Sequence, residues 1–110
     1  MKNKKINIIF RAPALEKAYK NLPDDDILKK RIDRVIERVK QEPFKTGQPI
    51  SKDRIPKEYI RDGFDNAFWV NLSKDWRLIY SLRGLNEIEI LCIVLDWFDS
   101  HKDYERKFNY

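Results

Sequence analysis

The sequence predicts an α+β fold, with an N-terminal strand, a helical hairpin packed on a mainly antiparallel four-stranded sheet, and a short C-terminal helix. Two observations carry this expectation. The hydrophobic period is helical from Pro13 to Glu42 and switches to two residues from Phe68 to Leu82. The 110 residues are 42% apolar and 13% aromatic, enough for one domain spanning 1–110 with a core of its own.

The elements follow in order. Ile6, Ile8 and Phe10 form a short strand-like run, and Ala12-Pro13 places proline where a helix can begin. Leu15, Ala18, Tyr19 and Leu22 then fall on one helical face, and Pro23 separates this helix from the next. The second helix is the clearest element, because Leu28, Ile32, Val35, Ile36 and Val39 make a stripe at i, i+4, i+7, i+8 and i+11. Asp24, Asp25 and Asp26 suit its positive N-terminal end, and Pro43 stops it. Its polar face carries Lys30, Arg34, Glu37 and Arg38, the composition of an ordinary solvated face or of a binding surface.

From Phe44 to Asn66 the periodicity is lost in a long basic connection rich in Gly and Pro. Phe68, Val70 and Leu72 then alternate, a break follows at Ser73-Lys74-Asp75, and Trp76, Leu78, Tyr80 and Leu82 resume the alternation. Ile88 to Leu95 is apolar on both faces, as a central strand requires. Three strands with short links make an antiparallel meander. Ser100 with Asp103 resembles a capping box opening a last helix.

Composition removes several classes. The lone cysteine, Cys92, can form neither an internal disulfide nor a thiolate metal cage. The apolar run after Lys2, Lys4 and Lys5 is too short for a signal peptide, and Ile90 to Leu95 is far below the roughly 20 residues that span a bilayer. A soluble protein in a reducing, cytoplasmic setting is the expectation. The net charge of +5 is uneven: residues 1–22 carry six basic and one acidic residue, 44–83 eight and five, and 84–110 three and six. A basic region of this kind attracts polyanions, although many basic domains bind none.

Glycine-rich phosphate loops, paired histidines and a cysteine beside a base are absent from the sequence. Asp96, Asp99, His101 and Asp103 could together hold a hard divalent ion, but acids are common at strand ends and helix starts, so no metal or other cofactor is expected. Arg77 is the residue of most interest. It sits in a strand between large apolar residues, where a guanidinium must reach solvent or be paired. A structural salt bridge to Asp96 or Glu89 is the alternative to a functional role.

The stretches Phe68-Trp69-Val70-Asn71-Leu72, Asp75-Trp76-Arg77-Leu78-Ile79-Tyr80 and Ser100-His101-Lys102-Asp103-Tyr104-Glu105-Arg106 resemble the RelE/ParE-type toxins of prokaryotic toxin–antitoxin pairs. Ile55-Pro56-Lys57-Glu58-Tyr59-Ile60 and Phe108-Asn109-Tyr110 are similar to a RelE-like subgroup, and the order of elements also matches. The resemblance implies a small α+β RelE-like fold, a cognate antitoxin, and metal-independent cleavage of mRNA on the ribosome by ribose 2′-OH attack. It implies that Arg77 supplies the cation beside the phosphorane, which suits a bidentate fork. His101 would act as acid or base, Tyr104 would donate to the leaving oxygen or stack on a base, and Asp103 would orient His101. Lys52, Arg54, Lys57, Arg61 and Lys74 would grip mRNA and rRNA phosphates. Where several family members carry two strand lysines, this chain has Trp69-Val70-Asn71, so Glu58 or His101 would have to serve as the base. A gyrase-inhibiting module of the ParE kind and a non-cleaving RNA- or antitoxin-binding member are the alternative readings.

Overall fold

A computed structural model describes residues 5–73, 76–86 and 88–98. The expected α+β architecture is the one observed. Strand β1 (Lys5–Phe10) leads into helices α1 (Pro13–Lys20) and α2 (Ile27–Gln41). A one-turn helix α3 (Pro43–Thr46), a two-residue strand β2 (Gln48–Pro49), a 3-10 turn (Lys52–Arg54) and a short helix α4 (Lys57–Arg61) follow. Strands β3 (Phe68–Asn71), β4 (Arg77–Gly84) and β5 (Glu89–Phe98) complete the described elements. The C-terminal helix expected from Ser100 and Asp103 lies outside the described residues.

Local chemistry accounts for the helix boundaries. Pro13 stands at the first turn of α1, where its missing N–H costs nothing. The carboxylate of Asp26 caps α2 by accepting from the Leu28 N–H at 2.7 Å, and Lys29 reaches back to Asp24 at 2.9 Å. Ile32, Val35 and Val39 of the predicted stripe are buried; completely burying Ile32 is worth about 2–3 kcal/mol. Leu15, Tyr19 and Leu22 also pack on the core, whereas Ala18 is exposed.

The sheet has five strands in the order β1-β5-β4-β3-β2 rather than the four expected. β3, β4 and β5 form the antiparallel meander, β1 joins β5 in parallel, and β2 adds a fifth rung to β3. On one face, Leu78, Tyr80, Leu82, Ile90, Cys92 and Val94 pack beneath α1 and α2. On the other, Ile79, Ile93 and Leu95 pack beneath Ile50, Ile55 and Tyr59, which come from the aperiodic basic connection. That connection is therefore the cover of the second face.

Two polar devices fix the two ends of this segment. Tyr80, fully buried and stacked on Phe68 with ring centroids 5.2 Å apart, accepts from the Gly47 N–H and donates to the Pro43 carbonyl, both at 2.9 Å. Burial pushes its phenol up to about 12. Asn66 substitutes for a missing rung beside β4: its side chain accepts from the Leu82 N–H at 2.9 Å and donates to the Leu82 carbonyl at 3.0 Å. The Ser81 hydroxyl donates to the same Asn66 oxygen, so this buried serine is satisfied.

Candidate functional site

Arg77 opens β4 on the face covered by α4. Alternation along β4 sends Leu78, Tyr80 and Leu82 toward the helices, so Arg77, Ile79 and Ser81 point the other way. In register, Arg77 stands between Asn71 of β3 and Phe98 of β5. Its guanidinium carbon lies 4.3 Å from the centre of the Trp69 ring, close enough for a strong cation–π contact. The half-buried Arg77 is thus a cation laid against an aromatic wall.

A β-bulge builds the rest of the site. The register slips between Ile79 and Tyr80, which face Asp96 and Val94, leaving Leu95 as the extra residue. The slip reverses the alternation of β5. Trp97 turns to the helix side, where it meets Phe10 edge-on at 6.4 Å, while Phe98 joins the Arg77 side. Without the bulge Asp96 and Phe98 would face the helices.

Asp96 is consequently opposite Ile79 and beneath α4. The Tyr59 hydroxyl donates to one carboxylate oxygen at 3.4 Å, and the Trp97 N–H donates to the other at 3.0 Å. Burial pushes the Asp96 carboxyl upward from its ordinary value, against the opposing effects of the Trp97 N–H, the Arg11 charge and the Tyr59 hydroxyl. Arg11 binds three elements together: its Nε donates to the Leu95 carbonyl at 3.0 Å, its guanidinium covers the Tyr59 ring at 5.0 Å, and it pairs with Asp62 at 3.2 Å. These contacts fix α4 over the sheet.

The cationic residues expected to bind RNA fall on this cover. Lys52 and Arg54 occupy the 3-10 turn, Lys57 and Arg61 lie at the two ends of α4, and all four are exposed. The fold therefore gathers Lys52, Arg54, Lys57 and Arg61 on the Arg77 side of the sheet. Glu58, the alternative base, is half-buried on the same helix. Lys74, His101, Asp103 and Tyr104 lie outside the described residues, as do Asp99 and the proposed metal grouping apart from Asp96. Glu89 is excluded as the partner of Arg77. It stands at the other end of β5, roughly 26 Å along the sheet, where Asn7 and Asn86 donate to it.

Sequence reasoning missed Arg11, Tyr59 and Asp62 as site-building residues. Arg11 reads only as the residue after a strand, and nothing in its neighbourhood signals a contact 84 residues away at Leu95. Trp69 was visible as part of a motif but not as the wall for Arg77.

A helical hairpin on one face of a mixed sheet, with the arginine-bearing strand in its middle, defines the fold expected of the RelE/ParE-type toxins. No family model matches the chain, and no curated protein matches it. Among solved structures it is similar to the YoeB/ParE toxin from Agrobacterium tumefaciens, with a TM-score of 0.59 and 16% identity, over 86% of this chain and 98% of that one. The likeness is one of fold. Among the described residues, no helix is long and apolar enough to cross a membrane.

Proposed function

We propose that this chain is the toxin of a toxin–antitoxin pair and that it is an endoribonuclease cutting mRNA on the ribosome without a metal. The observation that carries this reading is Arg77, a strand guanidinium held against Trp69 on the sheet face that also bears Lys52, Arg54, Lys57 and Arg61. In a fold shared with a YoeB/ParE toxin, that arrangement suits RNA better than a purely structural arginine does. The exposed cations would bind the phosphodiester backbone, and Arg77 would neutralise the charge that develops when a ribose 2′-OH attacks the adjacent phosphorus.

The proton transfers fall to other groups. His101, oriented by Asp103, and Tyr104 are the proposed acid–base pair, and Glu58 is the alternative proton acceptor on the cover helix. In-line attack yields a 2′,3′-cyclic phosphate and a free 5′-hydroxyl, so the leaving oxygen must be protonated. Lys74 would add a further phosphate contact. The cognate antitoxin would silence the toxin by covering this basic face.

The resemblance to ParE-type toxins keeps a gyrase-directed alternative in view. The two readings separate on induced expression. Codon-phased breaks in translated mRNA, lost on Arg77→Ala, support the nuclease. Growth arrest with intact mRNA and impaired supercoiling would replace it with the gyrase reading.

A further inference from the structure

The helix layer carries a second concentration of positive charge, on the side of the sheet away from Arg77. Helix α2 holds six basic residues against two acidic ones. Most are engaged. Lys29 pairs with Asp24, Arg31 lies over the Trp76 ring at 5.8 Å, and Lys40 pairs with Glu37 at 3.6 Å. The second acid, Asp33, accepts from the Tyr19 hydroxyl. Lys30, Arg34 and Arg38 remain, all exposed and without an ion pair among the described residues.

These three cations are spaced i, i+4 and i+8, so they advance about 6 Å per step and cover about 12 Å along the helix. Ile32, Val35 and Val39 bury the opposite face of α2, which leaves this stripe pointing outward from the molecule. A run of about 12 Å matches roughly three to four phosphates of one nucleic-acid strand at about 3.4 Å each. Two of the three are arginines, whose planar forks bind phosphate oxygens in pairs. An amphipathic acidic peptide would need an apolar seam beside the charges. The outer turns of α2 offer only Ile27, at the first position.

We propose that the outer face of α2 is a second RNA-backbone surface, in which Lys30, Arg34 and Arg38 hold a strand other than the one presented to Arg77. This rests on the reading that the chain acts on RNA, but not on its cutting RNA. A protein with basic surfaces on both sides of a thin sheet can bridge two RNA segments, as a factor working inside a ribonucleoprotein must.

The test is fluorescence anisotropy of the full chain with a labelled 20-nucleotide poly(U) RNA, titrated across salt concentrations. The variant is Lys30→Gln/Arg34→Gln/Arg38→Gln; glutamine matches Lys and Arg in helix propensity, and a thermal melt checks folding. A control, Lys5→Gln/Lys17→Gln/Lys20→Gln, removes the same charge elsewhere. Losing three phosphate contacts lowers the slope of log K against log salt by about 2, at about 0.7 per contact, and weakens binding at least tenfold at low salt. The control keeps the wild-type slope within about 0.5. A wild-type slope in the α2 variant, or an equal loss in the control, overturns the proposal. So does an α2 variant that keeps RNA but loses poly-glutamate, which would assign the surface to an acidic protein. Arg77→Ala retains the full α2 contribution to the slope whether or not the wild type cleaves mRNA, so this test and that of the nuclease reading fail separately.

Discussion

Gly47→Ala should destabilise the protein even though its backbone suits alanine. The φ at Gly47 is −105°, a conformation that any residue adopts, so the usual expectation is a gain of about 0.4–1 kcal/mol from a stiffer unfolded chain. The surroundings reverse the sign. A Cβ there would lie 2.9 Å from both Cε1 and the hydroxyl of Tyr80, and 3.0 Å from the Phe68 Cβ. The Tyr80 ring cannot retreat, because it is completely buried and stacked on Phe68. Overpacking of this kind costs about 1–3 kcal/mol, and displacing the turn stretches the bond from the Gly47 N–H to Tyr80, worth about 1 kcal/mol more. The net expectation is a loss of about 2 kcal/mol, or a Tm lower by about 8 °C for a chain of this size. Thermal unfolding followed by circular dichroism measures it. Tyr80→Phe leaves the Gly47 N–H and the Pro43 carbonyl unsatisfied, at a cost of about 1–3 kcal/mol, and removes one of the obstructing atoms. The two changes should therefore cost less together than the sum of their separate effects. An unchanged or raised Tm for Gly47→Ala would refute the reasoning.

Three further outcomes follow from the site. Trp69→Leu should release the Arg77 guanidinium and move its Nε–H resonance downfield as the ring current is lost, while Trp69→Phe keeps much of the shift; identical spectra for all three proteins would remove Trp69 as the wall. Because burial raises the Asp96 pKa, the folded state holds its proton to higher pH than the unfolded state does, so this group's contribution to stability falls as pH climbs above about 4. Asp96→Asn should then raise the Tm at pH 7 relative to wild type, with the difference shrinking toward pH 4; a variant that loses more stability at pH 7 than at pH 4 would contradict this. Asn66→Ala should lower stability by about 2–3 kcal/mol in urea unfolding, since it strands the Leu82 N–H, the Leu82 carbonyl and the Ser81 hydroxyl, and a cost below 0.5 kcal/mol would show that water replaces it.

Helix α2 and the meander were legible because each repeats its pattern several times. The stripe from Leu28 to Val39 runs for three turns, and prolines punctuate both ends of the hairpin. Arg77 was legible for a different reason: a cation inside an apolar strand needs an explanation. The cover over the second sheet face was not legible. Its elements run from two to five residues, too short for any period to declare itself. The bulge was hidden by the uniform apolarity of Ile90 to Leu95, since a strand buried on both faces looks the same whichever way its side chains alternate. That slip decides the placement of Asp96 and Phe98 beside Arg77. The clamp made by Arg11, Tyr59 and Asp62 joins residues from distant parts of the chain, and no local spacing encodes it.

The most direct test of the proposed activity is primer extension on mRNA programmed into purified ribosomes, comparing the wild type with Arg77→Ala and Arg77→Lys. The proposed mechanism predicts codon-phased cuts bearing 2′,3′-cyclic phosphate ends for the wild type. It predicts a loss of about 100-fold or more in Arg77→Ala, by analogy with removing one stabiliser of transition-state charge, and only partial recovery in Arg77→Lys, which keeps the charge without the fork. Undiminished cleavage by Arg77→Ala would contradict it.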